Sequence, residues 1–253
     1  MKKLLVFLGF LLAAALPAEA QFSGDKYTHP GGFKSSFINT AQDTDIDTAF
    51  EVIVDASFAQ ISAADQIEIL SAQAADTGQQ VTIVGMGPDS ARVSQTLDLN
   101  GTSVVTSTVV FEFVEYAYIN TGGEATGAIT LRKEGVVASV AIIAAGELST
   151  GGAHYFAGRT NRSFITGFRV MSIDGAGVVN VELRIYPDHQ DAVDLGDGYF
   201  IVAEGYIAAT AGAEFDFIFP IPYALPRYAY ATVQATSAVA NTDLRGTLYG
   251  YAD

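Results

Sequence analysis

Glu214-Phe215-Asp216-Phe217-Ile218-Phe219-Pro220 places a phenylalanine at every second position before a proline. This alternation has the period of a β-strand, whose side chains point in turn to opposite faces of a sheet. Proline has no N–H to donate to a neighbouring strand, so Pro220, Pro222 and Pro226 belong to a sheet edge or to a connecting segment. The stretch therefore predicts β structure close to an edge.

Similar runs follow one another along most of the chain. Segments rich in Val, Ile, Thr, Phe and Tyr, separated by Gly, Asn, Asp and Pro, are typical of strands and turns. They predict strands at 49–55, 66–72, 80–85, 93–99, 104–119, 127–133 and 136–143, and then at 154–156, 163–173, 178–186, 199–208, 214–220, 227–236 and 243–251. No long helical crossover separates neighbouring runs, so we expect antiparallel sheets. The predicted fold class is all-β, with two antiparallel β-sandwich or jelly-roll domains in tandem.

The glycine-bearing stretch 144–152 is the candidate boundary between the two halves. It places a first β-sandwich domain at 48–146 and a second, jelly-roll-like β domain at 147–253.

The first 20 residues have the three parts of a secretory signal. They are the basic Met1-Lys2-Lys3, an apolar run at 4–16, and Ala18-Glu19-Ala20 as a small-x-small cleavage site. The apolar run is shorter than the roughly 20 residues that span a bilayer. The alternatives are a short membrane anchor or a buried N-terminal helix. We expect 1–20 to be a signal peptide, the mature chain to have no transmembrane span, and the location to be extracellular or a virion surface.

Residues 21–40 (QFSGDKYTHPGGFKSSFINT) show neither helical nor strand periodicity. We interpret 21–47 as an extended N-terminal arm. Its aromatic residues Phe22, Tyr27, Phe33 and Phe37 are predicted interface residues that contact a neighbouring subunit, and the alternative is a terminus that contacts nothing.

The composition excludes several function classes. The 253 residues carry 13 basic and 28 acidic side chains, a net charge of −15. Nucleic-acid binding needs clustered Lys and Arg, so no nucleic acid is expected as a partner. Cysteine is absent, which excludes disulfides, thiolate metal sites and cysteine nucleophiles.

Two acidic runs are candidates for calcium, which prefers carboxylate oxygens. The denser run, 188–198, offers Asp188, Asp191, Asp194 and Asp197 as possible metal ligands. The other is Asp43-Thr44-Asp45-Ile46-Asp47, which lacks the glycine and the acid that an EF-hand requires at later positions. In both cases the alternative is a solvated polar turn. No other cofactor is expected.

Catalytic motifs are incomplete. Gly85-Met86-Gly87 begins a dinucleotide fingerprint, but Ser90 stands where the third glycine belongs and a strand pattern follows it. His29, His154 and His189 are far apart in sequence, and no nucleophile-elbow motif accompanies them. A dispersed triad or a carboxylate pair stays open, but we expect no enzyme activity.

Several segments carry a resemblance to a known family. They are QIEILSAQAADTGQQVTIVGM, VSQTLDLNGTSVV, FEFVEYAYI and ATGAITLR, and then ITGFRVMS, VVNVELRIYP, EGYIAATAGAEFDFIFPIPYALP and ATVQATSAVANTDLRGTLYGY. Together these segments, spread over roughly residues 48–253, resemble structural proteins of marine tailed phages. The resemblance implies a jelly-roll-like second half and a non-enzymatic virion component that self-associates. It implies no catalytic residues.

Two functions follow as hypotheses. The first is a structural protein that forms a homo-oligomer or larger assembly, in a virion or in an extracellular surface or filament assembly. The second is a secreted carbohydrate- or surface-binding module, in which the late tyrosines stack on sugar rings.

Overall fold

The computed structural model describes residues 35–55, 61, 63–158, 162–187 and 198–252. This part of the chain forms seventeen strands and no helix. Every strand pairing is antiparallel. The prediction of an all-β fold with tandem antiparallel sandwiches is confirmed. With no helix in these ranges, none is available there to span a membrane.

The first sandwich consists of two four-stranded sheets. Its strands are β3 (Asp65–Ser71), β4 (Gln80–Met86), β5 (Arg92–Asp98), β6 (Val105–Phe111), β7 (Phe113–Thr121), β8 (Ile129–Lys133), β9 (Ser139–Ile143) and β10 (Ser149–Gly151). Sheet I has the order β6-β3-β8-β9, and sheet II has the order β10-β7-β4-β5. Ile67 and Leu131 of sheet I share one core with Ile83 of sheet II, and all three are fully buried. Burial of these aliphatic side chains holds the two sheets together.

The second sandwich contains the remaining strands. These are β1 (Ser35–Ile46), β2 (Glu51–Val52), β11 (His154–Phe156), β12 (Ser163–Ser172), β13 (Val179–Tyr186), β14 (Phe200–Ile207), β15 (Glu214–Leu225), β16 (Tyr230–Ser237) and β17 (Thr242–Ala252). Sheet III has the order β1-β17-β12-β15, and sheet IV has the order β11-β16-β13-β14, with β2 paired to β16. Phe168 and Leu248 of sheet III pack with Leu183 and Val233 of sheet IV in one buried core.

Two segments of chain cross side by side between the sandwiches. The N–H of Asp55 donates to the carbonyl of Gly151 at 2.9 Å, and the N–H of Ala153 donates to the carbonyl of Ile53 at 2.9 Å. Because β10 belongs to sheet II and β11 to sheet IV, only Gly152 and Ala153 separate the sandwiches along this segment. The predicted boundary at 146 and 147 lies in the turn just before it, between β9 and β10.

A separate apolar cluster lies where the sandwiches meet. Met86 and Phe113 of the first sandwich pack against Phe156, Tyr186 and Tyr230 of the second, and all five are buried. The junction is therefore a packed contact as well as a covalent connection.

The described part of the predicted arm is strand β1. It forms the outer strand of sheet III and pairs with β17 of the same chain from Ser35 opposite Ala252 to Ile46 opposite Thr242. Residues 35–46 thus belong to the second sandwich. The rest of the arm lies outside the described residues.

The structure divides one predicted strand into two and places two prolines in an outer strand. The run predicted at 104–119 is two strands, because the chain passes from sheet I to sheet II at Glu112. Phe111 accordingly lies in the first core, whereas Phe113 packs at the junction. Pro220 and Pro222 lie in β15, the outer strand of sheet III, as their missing N–H predicts.

Candidate assembly surface

The four aspartates predicted as calcium ligands, Asp188, Asp191, Asp194 and Asp197, lie outside the described residues. Within the ranges that the structure describes, no group of three or more His, Asp or Glu side chains is arranged to hold a metal ion. The described residues therefore offer no metal centre from which to argue a function.

The second acidic run uses its first carboxylate for structure. Asp43 is buried in β1 and accepts hydrogen bonds from the backbone N–H groups of Asp45 at 3.2 Å and Val54 at 3.3 Å. Burial raises the pKa of Asp43 to about 7. The carboxylate ties β1 to the crossing segment 51–55.

Of the four predicted interface aromatics, only Phe37 falls within the described residues, and Phe22, Tyr27 and Phe33 lie outside them. The ring of Phe37 stacks on Tyr155 of the same chain, with 3.7 Å between ring centroids and 3° between planes. One face of the Phe37 ring is therefore already covered within the second sandwich.

His154, the one histidine in the described ranges, is buried at the junction. Its Nε2 donates to the carbonyl oxygen of Glu115 at 2.9 Å, and the hydroxyl of Tyr230 donates to its Nδ1 at 3.1 Å. Burial lowers the pKa of His154 to about 4, so the ring is neutral near pH 7 and matches this pattern of donors and acceptors. The imidazole is engaged on both nitrogens and serves as a structural link between the sandwiches.

The carboxylate of Glu115 completes this junction. It is fully buried, accepts the N–H of Phe156 at 3.2 Å, and forms an ion pair with Nη2 of Arg92 at 2.6 Å. Burial raises the pKa of Glu115, whereas the charge of Arg92 acts in the opposite direction. Because Glu115 lies on β7 and Phe156 on β11, this side chain fixes one sandwich against the other.

A different kind of surface lies on the far side of the second sandwich. Here sheet III ends at β15 and sheet IV ends at β14, and neither strand pairs beyond its single inner neighbour among the described residues. We call this surface the open side. Five large apolar side chains project from it into solvent: Phe200 (60% exposed), Ile201 (47%), Tyr206 (73%), Ile218 (61%) and Ile221 (81%).

The two edges lie close together. Gly205 of β14 lies under the ring of Phe215 of β15, and a Cβ at Gly205 would stand only 2.2 Å from a carbon of that ring. The glycine thus allows the two outer strands to pack closely without sharing backbone hydrogen bonds.

A bulge in β15 pushes part of this surface outward. Pairing with β12 moves from Ile165 opposite Tyr223 to Gly167 opposite Ile218. Residues 219–222 of β15 are therefore set against a single residue of β12, so they loop out of the ladder. The most exposed side chain of the open side, Ile221, lies in this bulge.

Sequence reasoning identified β14 and β15 but did not identify the open side. One signal was present at 214–219, where the outward positions change from the acidic Glu214 and Asp216 to the apolar Ile218. The other apolar pair, Phe200 and Ile201, stands in a continuous apolar run that is equally typical of a buried strand.

Comparison with known proteins assigns no family. No family model matches this chain, and no curated protein matches it. A solved structure titled as the T13 IBDV viral particle is 10% identical over 86% of this chain and 73% of its own, with a TM-score of 0.18. The infectious bursal disease virus VP2 subviral particle is 9% identical over 82% and 58% of the two chains, with a TM-score of 0.18. The structure of T=1 particles derived from infectious bursal virus is 12% identical over 86% of this chain and 68% of its own, with a TM-score of 0.19. At these values the likeness carries no assignment of function.

Proposed function

We propose that this chain is a non-enzymatic structural protein that self-associates, in a virion or in an extracellular surface or filament assembly. The observation that carries the proposal is the open side of the second sandwich. An exposed edge strand is a template for another chain, and exposed apolar side chains along it can add to the contact. Both features coincide at β14 and β15.

The side chains on the open side suit association between proteins. Aromatic residues are enriched in protein interfaces and supply large contact areas, and both Phe200 and Tyr206 stand exposed here. Burying one such apolar side chain contributes on the order of 1.5–3 kcal/mol. Several of them together would offset the entropy that two copies lose on association.

The polar groups of the junction support a structural role as well. His154 and Glu115 are buried and occupied by contacts that hold the two sandwiches together. Arg92 is engaged by Glu115 in the same way. These groups hold the two sandwiches together within one subunit.

Association is tested on the purified chain. N-terminal sequencing establishes whether it begins at Gln21, and analytical ultracentrifugation with negative-stain electron microscopy measures its assembly over a range of concentrations. We expect concentration-dependent oligomers or larger particles. A chain that stays monomeric at every concentration, with and without calcium, would contradict the proposal.

The surface is tested with the double variant Tyr206→Ser/Ile221→Ser. Loss of two exposed apolar contacts is expected to raise the dissociation constant at least about tenfold, which corresponds to about 1.4 kcal/mol. Val137→Ser is the matched control, because Val137 is 86% exposed on the first sandwich. Equal weakening by the control would show that the open side has no special part in association.

A further inference from the structure

We propose that residues 21–29 of one copy bind along β14 of a second copy, with Lys26 beside Glu204. This proposal rests on the proposed self-association and names the two surfaces that meet. It is carried by the chemistry of the β14 edge, by the charge distribution of the chain and by the reach of the N-terminal segment.

The first step concerns which edge can accept a strand. β15 carries Pro220 and Pro222 within its bulge, so its outer edge lacks donors there and is not straight. β14 (Phe200–Ile207) has no proline and pairs only with β13 among the described residues. An extended peptide gains main-chain hydrogen bonds by adding to such an edge. β14 is therefore the accepting strand of the open side.

The second step concerns charge on that strand. Glu204 is exposed on β14 and stands directly opposite Glu182 of β13. Like charges in this position repel each other. The nearby cation, Arg184, is already bound to Glu182 at 2.6 Å and lies between the rings of Phe50 and Tyr199. A cation brought by another chain would thus be stabilised beside Glu204.

The third step identifies the segment that carries such a cation. Four of the 13 Lys and Arg residues and two of the 28 acidic residues precede Ser35, so residues 35–253 carry nine basic and 26 acidic side chains. By contrast, residues 21–34 carry Lys26 and Lys34 against Asp25 alone. The binding segment 21–29 carries Lys26 and Asp25 and is neutral, so it brings a cation to a molecule whose residues 35–253 are strongly acidic without adding net negative charge.

The pattern of side chains also matches. In an extended segment Phe22 and Lys26 fall on one face, because side chains alternate with a period of two. Glu204 and Tyr206 share the outward face of β14 in the same way. Residues 21–29 contain no proline, so each can take part in a ladder. With Lys26 beside Glu204, Tyr206 lies two residues and Phe22 four residues from that pair on the same face, so the segment brings both a cation and an apolar ring to this face.

The length of the segment between residues 29 and 35 decides whether residues 21–29 can bind β14 of their own chain or only β14 of a second copy. β1 and β14 lie on opposite sides of the second sandwich, and a strand added to β14 lies four strand spacings of about 4.8 Å and a sheet separation of about 10 Å from β1. The direct line of about 22 Å crosses the packed core. The six Cα steps from residue 29 to Ser35 span at most about 22 Å when fully extended, which leaves no length for a path around the core. A second copy is therefore the occupant of residues 21–29.

Cysteine trapping tests this arrangement, since the chain has no cysteine of its own. Chains carrying Lys26→Cys are mixed with chains carrying Glu204→Cys under mild oxidation. Because a disulfide requires Cβ atoms within about 4.5 Å, we expect covalent dimers that contain one chain of each kind. The control pair, Lys26→Cys with Glu124→Cys on the first sandwich, is expected to give none.

A charge exchange gives an independent measurement. Lys26→Glu and Glu204→Lys should each weaken association at least about tenfold, and the double exchange should restore most of it, whereas Glu124→Lys should change little. Wild-type chains that associate while both the trapping and the exchange fail would overturn this inference and leave the proposed function standing. Wild-type chains that never associate would overturn both.

Discussion

The two sandwiches share an architecture but differ at their edges. In the first, Gln95 of β5 accepts the N–H groups of Thr108 and Val109 at 2.9 Å each, and so bridges to β6 of the facing sheet. On the other side of that sandwich, β9 lies against β10. Among the described residues of the second sandwich, no side-chain hydrogen bond bridges β14 and β15 on the open side, where Phe215 packs over Gly205.

The exposed apolar residues follow the same division. Among the described residues, those of the first sandwich are valines: Val104, Val110, Val136 and Val137. On the open side of the second they are phenylalanine, tyrosine and isoleucine. Two similar cores thus leave different surfaces, and the edges decide which sandwich is suited to bind another chain.

The largest expected effect is in the core of the first sandwich. Phe111 is fully buried there, and Phe111→Ala leaves a cavity, so the free energy of unfolding should fall by about 4 kcal/mol. Urea denaturation followed by circular dichroism measures the change. Because this sandwich has its edges bridged, the loss should be independent of protein concentration. A loss that disappears at high concentration would place the first sandwich in the assembly as well.

The second prediction concerns the contact that couples the two sandwiches. Glu115→Ala removes the buried acceptor for the N–H of Phe156 and the partner of Arg92. We expect the free energy of unfolding to fall by about 3 kcal/mol. The single unfolding transition of the wild type should separate into two in the variant, one for each sandwich. Calorimetry measures both. The control Glu124→Ala, at an exposed site, should leave one transition, and a single transition in Glu115→Ala would show that Glu115 is not needed for the coupling.

The third prediction concerns pH at the crossing segments. Asp55 accepts the N–H of Gln42 at 2.8 Å and that of Gly151 at 2.7 Å, and burial raises its pKa to about 6 from a usual 3.8. A carboxyl with a raised folded pKa contributes stability at low pH and loses it as the pH rises through that pKa. Between pH 4.5 and 7.5 the loss is about 2 kcal/mol.

Asp55→Asn cannot ionise, so its free energy of unfolding should fall less between these pH values than that of the wild type. His154 has a lowered pKa and loses stability in the opposite direction, as the pH falls, but it is present in both proteins and cancels in the comparison. Denaturant titrations at pH 4.5 and pH 7.5 measure the difference. Parallel pH profiles for the two proteins would exclude ionisation of Asp55 as the cause.

How much of this could be predicted from sequence depends on what each strand buries. β15 was predicted because Phe215, Phe217 and Phe219 alternate, and period-2 burial is a local property. β1 was not predicted as a strand, because its buried face carries Asn39 and Asp43 as well as Ala41. Those polar groups are satisfied by residues distant in sequence: the amide of Asn39 donates to the carbonyl of His154, and Asp43 accepts the N–H of Val54. Such partners are not visible in a local pattern.

The candidate surface escaped prediction for a related reason. The exposure of Ile218 and Ile221 depends on which strand ends a sheet, and this is a property of topology. The proline signal did predict the edge at β15. Nothing in the run from Phe200 to Val202 distinguishes an outer strand from a central one, since both are rich in apolar residues.

The smallest expected effect on folding is at the open side itself. Tyr206 is 73% exposed, so Tyr206→Ser should change the free energy of unfolding of the dilute, monomeric chain by less than about 0.5 kcal/mol. Binding stabilises the folded state by mass action, so the wild-type midpoint of thermal unfolding should rise with concentration once copies associate. That rise should be smaller in Tyr206→Ser, and it should be retained in Val137→Ser on the first sandwich. Differential scanning fluorimetry over a concentration series measures all three proteins. Identical concentration dependence in all three would remove the functional difference between the edges of the two sandwiches.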